Sequence, residues 1–379
     1  MDYQALQQAT VVNTYVNRGL TFVSGDGAFL IDEKGERYLD LMSSYGVTIF
    51  GYRHPVVIEA LTKQLNQLTT LHGSFTNDVR AQASHALVKR CGSSFSQVYW
   101  GNSGAEAVEA GLKFAVLATG KKRFIVCEHG YHGKTLGALS ATSEPKYTQP
   151  FLPLLWEFVR IPFNDVEALE RAITPETAGF LVEPVQGEGG ISVPAPDYLT
   201  RVRSVCDAKK ALLIIDEIQA GTGRTGTFLA SQQSGVEADI VCLGKGLAAG
   251  IPVGATVVRS AIAAAIPKHI HTSTFGGNPL ACAGVMATLT FLDGSRLQEV
   301  QRLGRIFKDR LASIQSPLIR EVRGQGLMIG VTVTEKRNQL LKALQDRRVV
   351  AIPAGEDVVR FLPPFVITEA EIEQAAQAL

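Results

Sequence analysis

Three charged residues stand where chemistry could be done: Asp216, Glu217 and Lys245. Each follows a short apolar run. Residues 212–215 lead into the two acids, and residues 240–243, after Gly244, lead into the lysine. The runs are rich in Ile, Leu and Val and are bounded by polar residues or glycine, which is the pattern of strands buried on both faces. In an open parallel sheet the carboxyl ends of the strands form the edge where ligands bind. The spacing therefore predicts an acid and a lysine facing one crevice.

A lysine beside a carboxylate is most simply a structural ion pair. The same pair suits a pyridoxal 5'-phosphate (PLP) site, where Lys245 would form the Schiff base. Asp216 would keep the pyridine nitrogen protonated, so that the ring acts as an electron sink. The pair alone leaves both readings open. A PLP site also needs a phosphate cup, an aromatic to cover the ring and a partner for a substrate carboxylate.

Candidates for each are present. Ser103-Gly104-Ala105-Glu106 opens an amphipathic stretch after an apolar run, and Ser103 and Glu106 have the spacing of a capping box. A glycine-rich helix N-terminus offers unpaired N–H groups to a phosphate, although a plain cap is the commoner use. Tyr131, after residues 123–127, could lie over a flat ring or simply pack. Arg360, in VVRFLPP, could fork onto a carboxylate or form a surface ion pair.

Other chemistries fit less well. The segment 221–226 matches GxGxxG, but Asp216 and Glu217 occupy the strand end, where two carboxylates would repel a pyrophosphate. No Walker A lysine follows it. GNSGA approaches a nucleophile elbow but has Ala105 in place of the last glycine. His129 with His132, or His269 with His271, lacks the Cys or carboxylate that would complete a metal site, so no metal is expected. Glu183 and Glu188 could be a glycosidase pair, but no sugar-binding aromatics accompany them.

The scaffold reads as α/β. Residues 21–42 alternate around the turn signals 25–27 and 33–35, as a small β-meander does. Pro55 starts a helix, and a second lies near 79–89. From residue 97 a strand, glycine-rich turn, helix pattern recurs, which implies a doubly wound, mainly parallel sheet. From residue 296 the order is helix, strands, helix, strand pieces and helix. We expect a large domain over 44–292 and a smaller α+β domain made of 1–43 and 293–379.

The 379 residues carry a formal net charge of +1, which points to neither nucleic acid nor an anionic membrane as a main partner. The five cysteines are scattered without a CxxC, which suits a reducing cytosol rather than a disulfide framework. The N-terminal residues show no secretory signal, and no run has the length of a membrane span. A cytoplasmic location is expected.

Taken together, SGAEAVEAGLKFA, YHGKT, EPVQGEGG, LLIIDEIQAGTGRTG, LGKGLAAGIPVGA, STFGGNPLA, VRGQGLMIG and VRFLPP give a whole-length resemblance. The chain resembles the class III (ω-amino acid) aminotransferases of PLP fold type I. Within them it looks most like the acetylornithine aminotransferases and the enzymes of carrier-protein-bound lysine synthesis. Ornithine and putrescine aminotransferases are also similar.

The resemblance implies a role for each matching residue. Lys245 would carry the cofactor and shuttle the proton. Asp216 would pair with the ring nitrogen, and Gln219 with the ring 3-oxygen. Ser103, Gly104 and Ala105 would hold the phosphate, and Tyr131 would stack on the ring. Thr274 would reach the phosphate of a neighbouring subunit, with Ser273 near the substrate, which implies a homodimer with shared sites. Arg360 would bind the α-carboxylate of glutamate or 2-oxoglutarate, and Glu188 would cover Arg360 when the ω-amino donor binds. Tyr15 and Tyr45 match tyrosines near the substrate. Lys134 departs from the family, since acetylornithine and ornithine enzymes usually have arginine there to grip the distal carboxylate. Putrescine enzymes can carry lysine. The expected reaction moves the terminal amine of N-acetylornithine, or a similar donor, to 2-oxoglutarate, with an ornithine or diamine aminotransferase as the alternative. An aminomutase is disfavoured by Arg360 and Glu188, which suit a glutamate-using enzyme.

Overall fold

A computed structural model describes residues 1–379. Its centre is a seven-stranded sheet in the order Phe95–Gly101, Gly254–Arg259, Ile240–Leu243, Leu212–Asp216, Thr177–Val182, Arg123–Cys127, Glu157–Ile161. Six strands run one way. Gly254–Arg259 is antiparallel to both its neighbours. That strand and Glu157–Ile161 escape a reading of the sequence. EFVRI is only partly buried at a sheet edge, and GATVVR follows a glycine-rich loop with no more than one short 3-10 turn before it.

The apolar runs are buried because both faces of this sheet are covered. Successive side chains point to opposite faces. Phe124, Val126, Leu181, Ile214 and Cys242 meet the helix Gly104–Thr119 through Ala107, Val108, Leu112 and Ala115. Ile125, Phe180, Val182, Ile215 and Val241 point into the larger core on the other side. Burying one such aliphatic side chain is worth roughly 1.5–3 kcal/mol.

Two smaller sheets come from the ends of the chain. Phe22–Asp26, Phe29–Asp32 and Arg37–Asp40 form an antiparallel meander, and Val349–Val350 adds to it in parallel. Ile319–Gln325, Met328–Val333, Val358–Phe361 and Ile352–Ala354 form an antiparallel sheet. The helix Gly294–Ala312 packs on this sheet and on Glu369–Ala378, which starts with a capping box between Thr368 and Glu371. The first and last thirds of the chain thus share hydrogen bonds. No helix is long and apolar enough to cross a membrane.

GTGRTG proves to be a joint between units. Arg224 is buried to 1% exposure, and its Nη1 donates to the carbonyls of Leu327 and Pro363. Its guanidinium lies 4.6 Å from the centre of the Phe365 ring.

Candidate active site

The carboxyl edge of the sheet opens into a cavity of about 310 Å³. Asp216 ends its strand there, at 4% exposure. Its Oδ1 accepts from the Ile218 N–H at 3.0 Å, and its Oδ2 lies 2.8 Å from His132 Nδ1. A carboxylate can only accept, so Nδ1 carries the proton. Glu217, the next residue, turns away and accepts from the N–H groups of Ala230 and Ser231. Only one of the two adjacent acids therefore faces the cavity.

Lys245 follows Gly244 at the end of Ile240–Leu243 and has φ +47°, the left-handed region. The sharp turn aims its side chain into the cavity. Burial lowers the pKa of its ammonium, while the charges of Glu188 and Asp216 work against that shift. The free amine is the nucleophilic form.

At another wall the helix Gly104–Thr119 begins. Ser103 Oγ accepts from the Glu106 N–H at 3.2 Å. The Glu106 carboxylate reaches the Asn102 N–H rather than that of Ser103, one residue earlier than in a standard capping box. The amides of Gly104 and Ala105 have no partner within the helix. Gly133 brings the Tyr131 loop against this end. It has φ +136°, and a Cβ there would lie 2.8 Å from the Ala105 Cβ.

Tyr131 is half-buried, and burial pushes its phenol up to about 12. Its N–H donates to Glu183 Oε1, while Glu183 Oε2 accepts from the Gly187 N–H, each at 3.0 Å. Burial pushes the Glu183 carboxyl up to about 7. Glu183 thereby ties the Tyr131 loop to the turn that carries Glu188.

Arg360 arrives from the antiparallel sheet and is fully buried. Nη1 donates to Gln219 Oε1 at 2.9 Å, and Nη2 donates to Glu188 Oε1 at 2.8 Å and to the Pro353 carbonyl at 3.2 Å. The Tyr45 ring centre lies 5.5 Å from the guanidinium.

The structure thus gathers Lys245, Asp216, Gly104, Ala105, Tyr131, Gln219, Glu188 and Lys134 around one cavity, with Ser103, Arg360 and Tyr45 at its walls. Ser273 and Thr274 line a separate cavity with Tyr99, Asn102 and Glu106. Tyr15 is 82% exposed and lies outside both. Sequence reasoning weighed His132 as a metal ligand and Glu183 as a glycosidase acid. The contacts His132–Asp216 and Glu183–Tyr131 span 84 and 52 residues, and no local spacing shows them. No group of three or more His, Cys, Asp or Glu side chains gathers as a metal site would need. Tyr147 was also missed. Its ring centre lies 4.6 Å from Lys134 Nζ and 6.1 Å from the Tyr131 ring centre.

These residues fit PLP. The cavity joins an amine whose pKa is lowered, a carboxylate fixed by two donors, two helix-end amides and a half-buried aromatic.

A profile of the "Aminotransferase class-III" family matches residues 11–379. An acetylornithine aminotransferase of Methanopyrus kandleri is 41% identical over 382 residues, covering 100% of this chain and 98% of that one. A Pyrococcus furiosus chain is 41% identical over 360 residues, covering 95% of each. Its name, itself provisional, is LysW-aminoadipate semialdehyde/glutamate semialdehyde transaminase. A Toxoplasma gondii ornithine aminotransferase structure with PLP at partial occupancy superimposes with a TM-score of 0.94 at 36% identity. It covers 100% of this chain and 92% of that one.

Proposed function

The chain belongs to the class III aminotransferases, which are PLP-dependent, and from that premise we propose a donor, an acceptor and a role for each residue. The enzyme moves the terminal amino group of N-acetylornithine, or of a similar ω-amino donor, to 2-oxoglutarate. The products are the semialdehyde and glutamate, in arginine or lysine biosynthesis in the cytoplasm. The names of the relatives support the donor. The observation that carries the reading is Arg360 held by two side chains, Glu188 and Gln219.

Bound PLP supplies an electron sink for the carbon next to the transferred nitrogen. The residues around it supply the rest. Lys245 holds the cofactor and then moves a proton from the donor's terminal carbon through Nζ. Burial lowers its pKa, which favours the free amine that both tasks use. Asp216, oriented by His132 and the Ile218 N–H, keeps a proton on the ring nitrogen. Gln219 would pair with the ring oxygen, Tyr131 would cover one face, and Ser103, Gly104 and Ala105 would hold the phosphate.

Glu188 neutralises Arg360 while the ω-amino donor is bound. When it swings away, Arg360 becomes a fork for the α-carboxylate of glutamate or 2-oxoglutarate. Lys134 takes the donor's distal carboxylate, with Tyr45 near that end, whereas Tyr15 stands outside the cavity in this structure. Ser273 and Thr274 face a second cavity beside exposed Ile270 and Phe275, which supports a homodimer in which they serve the neighbour's site.

Lysine in place of the family's arginine at 134 favours a second reading, a diamine aminotransferase. Initial rates of the holoenzyme with 2-oxoglutarate and N-acetylornithine, ornithine, putrescine or 4-aminobutyrate decide between them. The proposal expects N-acetylornithine to lead, and Lys134→Ala to raise its KM about 10-fold or more. If putrescine leads and Lys134→Ala leaves its KM unmoved, the diamine reading replaces this one.

A further inference from the structure

Lysine at 134 raises a physical difficulty. An arginine fork grips a carboxylate with two parallel hydrogen bonds, whereas an ammonium on a four-carbon stem is a flexible point charge. To anchor a carboxylate it must first be ordered. No backbone feature does this, because Lys134 follows Gly133 and is largely exposed.

Tyr147 supplies the order. Its ring centre lies 4.6 Å from Lys134 Nζ, and a cation over a ring face is attracted by the ring's quadrupole. Tyr147 is half-buried on the turn Pro145–Thr148, where its N–H donates to the Glu144 carbonyl at 3.0 Å. It also meets Tyr131 edge to face. A second ammonium, Lys146 Nζ, lies 5.0 Å from the same ring centre. Neither lysine takes part in an ion pair, although fifteen such pairs occur elsewhere in the molecule. Lys134, which lines the cavity without an ion-pair partner, attracts a carboxylate and repels a second ammonium, and Lys146 on the same ring adds to that field.

We propose that Tyr147 is a specificity-determining residue, whose ring holds the Lys134 ammonium as the anchor for a carboxylate at the far end of the amino donor. The inference rests on the role given to Lys134 above. It adds that the ring makes lysine sufficient where the family uses arginine, and that the paired cations select against diamines.

The test compares holoenzyme carrying Tyr147→Leu, Tyr147→Phe, Lys134→Ala and the double change Lys134→Ala with Tyr147→Leu. Two quantities are read. One is KM for N-acetylornithine. The other is the calorimetric Kd of N-acetylnorvaline, which keeps the acetamido carboxylate and lacks the reacting amine. Tyr147→Leu is expected to raise both by about 3- to 30-fold, the range of a cation–ring contact, with kcat changed less. Tyr147→Phe keeps the ring and stays within about threefold of the parent. In the Lys134→Ala background Tyr147→Leu adds little, because the two act as one unit.

A merely structural tyrosine would add its full effect in that background and would raise the KM of putrescine equally. Either result overturns the inference, as does an unchanged Kd in Tyr147→Leu. If the parent enzyme uses N-acetylornithine and Tyr147→Leu is silent, this inference alone falls. If the parent uses putrescine and not N-acetylornithine, the role of Lys134 falls and takes this inference with it.

Discussion

Arg360 in the cavity and Arg224 in the joint are both buried, at 0% and 1% exposure, and each brings two of the chain's units together. Their partners differ in kind. Arg360 is held chiefly by the side chains of Glu188 and Gln219, whereas Arg224 is held by the main-chain carbonyls of Leu327 and Pro363. A side chain can leave by rotating a bond, but a carbonyl leaves only if the fold opens. Each region also has a buried glutamate that accepts two backbone N–H groups. Glu183 binds those of Tyr131 and Gly187 in the cavity, and Glu217 binds those of Ala230 and Ser231 at the joint. The arginines thus differ in what could release them, whereas both glutamates are held by backbone.

Removing each arginine should separate the two kinds of work. Arg360→Ala is expected to lower kcat/KM for 2-oxoglutarate by about 10²- to 10³-fold, through loss of a charged fork. Its melting temperature should fall less than that of Arg224→Leu, because Glu188 is 29% exposed and can rehydrate and the Gln219 side chain can turn to another partner, whereas the carbonyls at Arg224 cannot move. Arg224→Leu is expected to do the reverse. It leaves two buried carbonyls unpaired, at about 2–4 kcal/mol of stability, read as a lower urea midpoint of the holoenzyme. Its kcat should stay within about fivefold. If both variants lose activity and stability in the same proportion, the distinction is wrong.

A smaller effect comes from pH. Burial pushes the Glu217 carboxyl up to about 7 from its ordinary 4.5. An acid whose folded pKa is raised favours the folded state when protonated. That contribution is present below about pH 4.5 and is lost as pH rises through 7. The urea midpoint should therefore fall between pH 5 and pH 8. Glu217→Gln should flatten that fall by on the order of 1–3 kcal/mol, while lowering stability throughout because one N–H loses its acceptor. An unchanged slope would show that Glu217 titrates normally.

What could be read from the sequence divides along similar lines. Asp216, Lys245 and Glu188 announce themselves because a buried strand must end at the sheet's edge, and the residues that follow it face the crevice. Arg360 stands out as a lone arginine in an apolar strand before two prolines. The helix-end amides follow from the capping pattern at Ser103. By contrast, His132, Glu183 and Tyr147 take their meaning from partners far along the chain or on another loop. The same holds for GTGRTG. Its pattern says turn, but the carbonyls that Arg224 binds lie 103 and 139 residues further on.

Pro363, whose carbonyl Arg224 grips, lies three residues beyond Arg360, roughly 10 Å along extended chain. The two arginines are therefore parts mounted on one short rod, and play at one mounting is transmitted to the other. A chain weakened around Arg224 would therefore lose firmness in the whole rod first, and the setting of Arg360 only as the rod itself worked loose.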